Sequence, residues 1–394
     1  MGKKRKTQRS VGLDNAEASQ DPQATLGTSR MAAMPAFRLW NPGHSDADSA
    51  SQWERDDQRA WSRDLDATSP AARSAIDQHV AYRVGTGLRY QSRILNAWLN
   101  LDEKEAESWQ NNAESRFHMW ASSPMASVEG DLNFYEMQAL LARSAKISGD
   151  VFALLVRKER KNGWPFRTAL QIIEADRICN ENGAANTNSI YEGIERAADG
   201  EIIQIFVANH HPGRFIGQIS DKKWQKIPIF GNNGRRNVIC RKDMRRPGQT
   251  RGMPALSVIT GILKQHTRYT EAEIEAAVNA ASLAIFAEMD AQSFKDLFDN
   301  DQQSAYLAAA LEARGNTVPL ESGKILNTLP GERITSPTPG RPNPNFGTFV
   351  ENFYTFFGMG LGMPPEVITG LYKSSYTAAR AALQQLWQMI YIDR

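Results

Sequence analysis

Six histidines, at positions 44, 79, 118, 210, 211 and 266, and two cysteines, Cys179 and Cys240, are the residues from which a metal site or an activated nucleophile could be built. Such chemistry needs fixed spacing, as in a helical HExxH or paired CxxC steps. Neither spacing occurs, and His210-His211 simply precedes Pro212 in a loop-like stretch. No metal ligands are therefore expected. Gly85-Thr-Gly87 lacks the third glycine of a dinucleotide loop, and Gly358-Met-Gly-Leu-Gly362 runs into prolines instead of opening a helix. GxxxxGK[ST] and Gly-x-Ser-x-Gly are both missing. Asp56-Asp57 belongs to a charged helix face, and Glu271, Glu273 and Glu275 step by two, which splays them around a helix. The residues offer no catalytic constellation and no cofactor site, and an enzyme is not expected.

Charge narrows the remaining classes. With 46 basic against 44 acidic side chains the chain carries a net +2, too small an excess for a protein that grips nucleic acid tightly. The basic residues are instead local, at Lys3 to Arg9 and again at Arg235, Arg236, Arg241, Lys242, Arg245, Arg246 and Arg251. No apolar run reaches eighteen residues, so no single segment is expected to span a membrane. Two cysteines make no disulfide framework, and a reducing compartment is the default. At 394 residues there is room for two or three domains.

The elements that position these groups follow from periodicity. Residues 1–50 hold too few large apolar side chains to offset chain entropy and read as a disordered basic arm without a secretory signal. Ser69-Pro70 opens a helix with Ala72, Ile76, Val80 and Val84 on one face, ended by Gly85. Asp131 is expected to cap another, with Phe134, Met137, Leu140 and Leu141 inward. Strand-like runs follow at Val151–Val156, Leu170–Ile173, Ile190–Ile194, Glu201–Val207 and Asn237–Cys240, with a hairpin loop over Arg196–Gly200. From Pro254 a helical pattern runs to about Glu288, roughly 50 Å at 1.5 Å per residue. That is too long for one small domain to cover and suits packing against other copies.

Residues 289–342 are polar and proline-rich, with a short helix expected near Ser304–Ala313 and a strand near Lys324–Leu329. Phe346, Phe349, Val350, Phe353 and Phe357 then share one helix face. A polar loop over Thr369–Tyr376 leads into a last helix carrying Leu383, Leu386, Trp387 and Ile390.

Seven blocks in order carry a resemblance. They are Arg38–Asp46, Arg63–Leu65 with Ala71–Asp77, Val84–Leu88, Ser148–Ala153, Leu170–Ile178, Arg246–Leu256 and Arg268–Ile274. From about residue 38 to the end the chain resembles the portal proteins of lambda-type tailed phages. The resemblance implies an α+β portal-type subunit: a mixed wing at 53–250, stem helices at 254–288 and 345–362, a small clip module at 289–342 and a tunnel loop at 363–377. Relatives continue past the last helix, often with a helical crown, so residues 378–394 are expected to begin that region. Cys240 stands where relatives tend to carry histidine, a structural difference only.

The same resemblance implies a homo-oligomeric ring, usually of twelve, at one capsid vertex of the virion. It is assembled in the host cytoplasm, and double-stranded DNA is packaged and ejected through it. The terminase motor, the major capsid protein and head-completion or tail adaptors would be its partners, without a membrane. Near-neutral charge suits DNA transit, since each neutralised phosphate adds affinity. Lys373, Ser374, Ser375 and Tyr376 are expected to line the channel, and Arg245, Arg246, Arg251, Phe349, Phe353 and Phe357 to contribute to subunit contacts. A non-portal capsid or tail adaptor is the alternative, and a phage hydrolase a more distant one.

Overall fold

The computed structural model describes residues 44–160, 163–213, 223–281, 286–289, 312, 332–335, 345–372 and 375–393. The arm expected over 1–50 lies outside them except at its end. There Asp46 caps helix α1 (Ala47–Ser51) by accepting from the Asp48 and Ser49 amides. The Asp48 carboxylate accepts from the Thr250 N–H at 2.6 Å and from the Thr250 hydroxyl. The folded chain therefore starts before residue 50, because one aspartate finds a partner that composition cannot reveal.

Helices α2 (Arg55–Thr68) and α3 (Pro70–Val84) meet at Ser69, whose hydroxyl accepts from the Ala72 amide while Pro70 fills the first turn. Ala72, Ala75, Ile76 and Val84 are buried, and Gly85 stops the helix at φ 57°. A short helix α4 (Asn96–Leu99) precedes α5 (Glu103–Ala121), which opens on an Asp102/Glu105 capping box. Helix α6 (Phe134–Ser148) is capped by Asn133 with Glu136, not by Asp131. Asp131 instead accepts from the Ser127 hydroxyl at 3.0 Å.

Two antiparallel sheets follow. β1 (Asp150–Arg157) lies between β2 (Thr168–Ile173) and β7 (Val238–Lys242), with Phe152 opposite both Ile173 and Cys240. β3 (Ile190–Tyr191), β4 (Ile194–Arg196), β5 (Ile202–Ala208) and β6 (Trp224–Pro228) form a four-stranded meander. The single strand expected over Ile190–Ile194 is two, because Glu192 (φ 47°) and Gly193 (φ 78°) make a left-handed two-residue turn between them. The Arg196–Gly200 hairpin forms as expected, closed by the Ala197 amide on the Glu201 carbonyl. Phe152, Leu154 and Ile173 from one sheet pack with Ile194, Ile205 and Val207 from the other.

A second core is helical. A 3-10 turn over Ala255–Val258 leads into α7 (Thr260–Ala281), which meets α8 (Phe346–Leu361), the short α9 (Pro365–Thr369) and α10 (Tyr376–Asp393) against α2 and α3. The helix expected to reach Glu288 stops earlier, and Phe286–Met289 is a strand, β8, paired antiparallel with β9 (Glu332–Thr335). Its backbone groups are satisfied across the ladder, which a helical count of apolar positions cannot anticipate. The helix expected near 304–313, apart from helical Glu312, and the strand near 324–329 lie outside the described residues.

Candidate functional site

Three of the blocks that carry the resemblance, Ser148–Ala153, Leu170–Ile178 and Arg246–Leu256, converge on one buried charge cluster. At its base the chain crosses itself so closely that a Cβ on Gly252 would stand 1.9 Å from the Gly149 carbonyl oxygen. Gly149 itself sits at φ 86°. Glycine is the residue that tolerates both the backbone conformation and the approach. The crossing brings Asp150, at the start of β1, against Arg251, each 1% exposed.

Arg251 uses every donor it has. Its Nε lies 2.5 Å from Asp150 Oδ2, and Nη2 donates to Asp150 Oδ1 at 3.2 Å and to the Ala175 carbonyl at 2.8 Å. Nη1 donates to the Ile178 and Glu192 carbonyls at 2.8 and 2.7 Å. From α2, Arg59 reaches Asp150 at 3.3 Å, Asp176 at 3.3 Å and the Ser148 carbonyl at 3.1 Å. Burial alone would raise the Asp150 carboxyl, but the guanidiniums of Arg251, Arg59 and Arg55 hold it below the ordinary carboxylate range. Arg55, paired with Glu192, is pulled down to about 10 by burial, with the charges of Arg251 and Arg59 acting in the same sense.

This corrects one expectation. Arg251, expected with Arg245 and Arg246 at subunit contacts, is an internal clamp joining helix, sheet and turn. Arg245 and Arg246 do face outward: Arg245 approaches Asp243 at 3.6 Å, and Arg246 donates to the Ser45 carbonyl at 3.0 Å. The sequence contained a signal for the clamp. Arg55, Arg59, Ser62 and Leu65 fall at core spacing on α2, and Asp150 shares strand parity with buried Phe152 and Leu154.

The aromatic stripe of α8 packs against α7. The His266 ring stacks 3.7 Å from Phe353, and Tyr269 lies 4.3 Å from Phe349. Burial lowers the His266 pKa, which favours the uncharged ring beside Phe353. Phe353 and Phe357 are 5% and 0% exposed, hence core residues of their own chain, which corrects their assignment to a contact between copies. Phe349 keeps outward surface at 41%, as do Phe356 and Met359 on the same helix.

The loop expected at 363–377 is mostly built structure. Met363, Val367 and Ile368 are buried, and the Ser74 hydroxyl donates to the Ile368 carbonyl at 2.7 Å. What stays open begins at Gly370. Lys373 and Ser374 lie outside the described residues, while Ser375 precedes the first turn of α10 and Tyr376 is exposed at its start.

Among the described residues one group of possible metal ligands borders the charge cluster: Glu174, Asp176 and His211 place ligand atoms within 4.8 Å of one another. Arg63 pairs with both carboxylates and Arg59 with Asp176, a charge setting that opposes a cation. Among the described residues no helix is long and apolar enough to cross a membrane.

A chain that keeps its organised charge inside and leaves apolar helix surface outside has the features of an assembly subunit. Residues 34–394 match the lambda family of phage portal proteins, and the chain belongs to that family. Its role is that of a portal protein in a phage-like head. No curated protein sequence matches the chain. Among solved structures it is similar to a chain from the neck of an empty gene transfer agent particle computed with C6 symmetry. The two are 13% identical at TM-score 0.51, over 91% of this chain and 80% of that one. A chain from the native particle's neck, computed with C12 symmetry, is 14% identical at TM-score 0.44, over 81% and 72%.

Proposed function

We propose that copies of this portal protein close into a ring, of about twelve in the family, at one capsid vertex. Double-stranded DNA passes through its centre on packaging and again on ejection. The α+β region at 53–250 is the wing, α7 and α8 the stem, 289–342 the clip and the segment around Lys373 the channel loop. The terminase motor, the major capsid protein and head-completion or tail adaptors are its partners in the virion, and it performs no catalysis.

The observation that carries this reading is on α7. Leu263 and Ile274, three turns apart on one face, are 1% and 62% exposed. The apolar face thus runs on beyond the chain's own core, as a helix destined for a neighbouring copy would. Symmetric necks among the structural relatives support a ring. Mass photometry and negative-stain imaging of the purified chain test it: closed rings with a central hole are expected, and a monomer or an open small oligomer refutes it.

A further inference from the structure

Between α3 and α4 the chain runs through Leu88–Leu95 in neither helix nor strand, yet it is fastened along one edge. The Gln138 side chain accepts from the Leu88 amide at 2.7 Å and donates to the Leu88 carbonyl at 3.1 Å. Glu114 accepts from the Ser92 amide at 2.8 Å and Gln110 from the Ile94 amide at 3.2 Å. Two residues of extended chain advance about 6.6 Å and four helical residues about 6 Å, so this segment lies extended and antiparallel along α5. From Gln91 to Leu95 side-chain exposure alternates as in a strand.

In an extended chain, successive residues direct their backbone groups to opposite edges. Residues 88, 92 and 94 bind the helices, and among the described residues the N–H and C=O groups of Arg89, Gln91 and Arg93 have no partner. That free edge is basic: Arg89 and Arg93 are exposed and have no carboxylate partner among the described residues. Beside it opens a recess of about 420 Å³ with Leu88, Tyr90, Phe117, Phe134 and Leu141 in its walls. Arg83 and Arg241 at the same recess are already paired with Asp393. A second recess of about 550 Å³ includes Glu114, the one carboxylate in the two linings, whose Oε1 serves the Ser92 amide.

We propose that the Arg89–Arg93 edge is a docking site for an extended, acidic segment of a partner protein. The segment adds as a strand, sets carboxylates against Arg89 and Arg93, and places an apolar side chain in the recess beside Phe117. Main-chain hydrogen bonds supply affinity in such strand addition and side-chain pockets supply choice of partner. The proposal goes beyond the ring and does not rest on it.

A fluorescein-labelled peptide alternating glutamate and leucine, titrated by anisotropy against the whole chain, tests this. Saturable binding is expected. Replacing the glutamates by lysines, methylating alternate backbone nitrogens, or introducing Arg89→Glu with Arg93→Glu should each weaken it by about ten-fold or more. The variant's melting temperature should stay unchanged, and Arg89→Gln with Arg93→Gln should show an intermediate loss. No saturable binding, or binding indifferent to methylation or to the arginines, overturns the proposal. A charge-reversed variant that loses its oligomeric state overturns it too, by assigning the edge to another copy of this chain.

Discussion

Asp150 and Arg251 lie 101 positions apart in the chain and meet as a doubly hydrogen-bonded ion pair, both 1% exposed, where the backbone crosses itself at Gly149 and Gly252. Helix α2, the three-stranded sheet and the turn before β4 all hang on that pair through Arg59, Ala175, Ile178 and Glu192.

Breaking it is therefore expected to be expensive. Asp150→Asn leaves the Arg251 guanidinium buried without its carboxylate, a loss of about 3–5 kcal/mol. Thermal melting checks this. The pH dependence has a definite sign: a carboxyl held below its unfolded value near 3.9 stabilises fully above that value and loses the effect as pH falls through the folded one. Asp393 acts in the same sense. Burial opposes its ionisation, but a hydrogen bond from His79 and the charges of Lys146 and Arg83 prevail. Melting temperature should drop on acidification below about pH 4. In Asp150→Asn the Asp150 share of that drop should be gone.

Phe353→Ala removes a ring that is 5% exposed and stacked on His266. The lost transfer energy and the cavity together should cost about 3–5 kcal/mol. Denaturant unfolding measures it, and ring yield should fall as the α7–α8 pair loosens. A wild-type midpoint would mean the stripe does not hold the two helices together.

Arg245 and Arg246 are exposed, so replacing both by glutamate should move stability by no more than about 0.5 kcal/mol per site. If they serve contacts between copies, the double variant and a doubling of ionic strength should both reduce ring formation in mass photometry. Unchanged assembly in both removes them from the contact.

Lys373→Glu should leave rings intact and lower the DNA retained in filled capsids or slow its ejection. A belt of ammonium groups touches phosphates without reading bases, and carboxylates repel them. Packaging assays with quantified DNA content decide it, and normal packaging and ejection would place Lys373 away from the channel.

The sequence alone determined the elements whose signals are local. Ser69-Pro70 and Gly85 bound a helix because capping, the proline φ and a left-handed stop act within a few residues. Runs such as Val151–Val156 read as strands because a short unbroken apolar run is a signal carried within the run itself. The order of blocks from Arg38 onward was enough to place the chain in its family.

Long-range geometry decided the rest. Arg251 looked like one more arginine in a basic surface run, and only the crossing at Gly149 and Gly252 shows it desolvated against an aspartate from another element. Phe353 and Phe357 read as interface side chains and are interior, whereas Ile274, equally apolar, lies exposed where α7 outruns its own core. Periodicity states which residues share a face. Whether that face meets its own chain, another copy or water depends on how far each helix extends past its neighbours, and no local pattern encodes that distance.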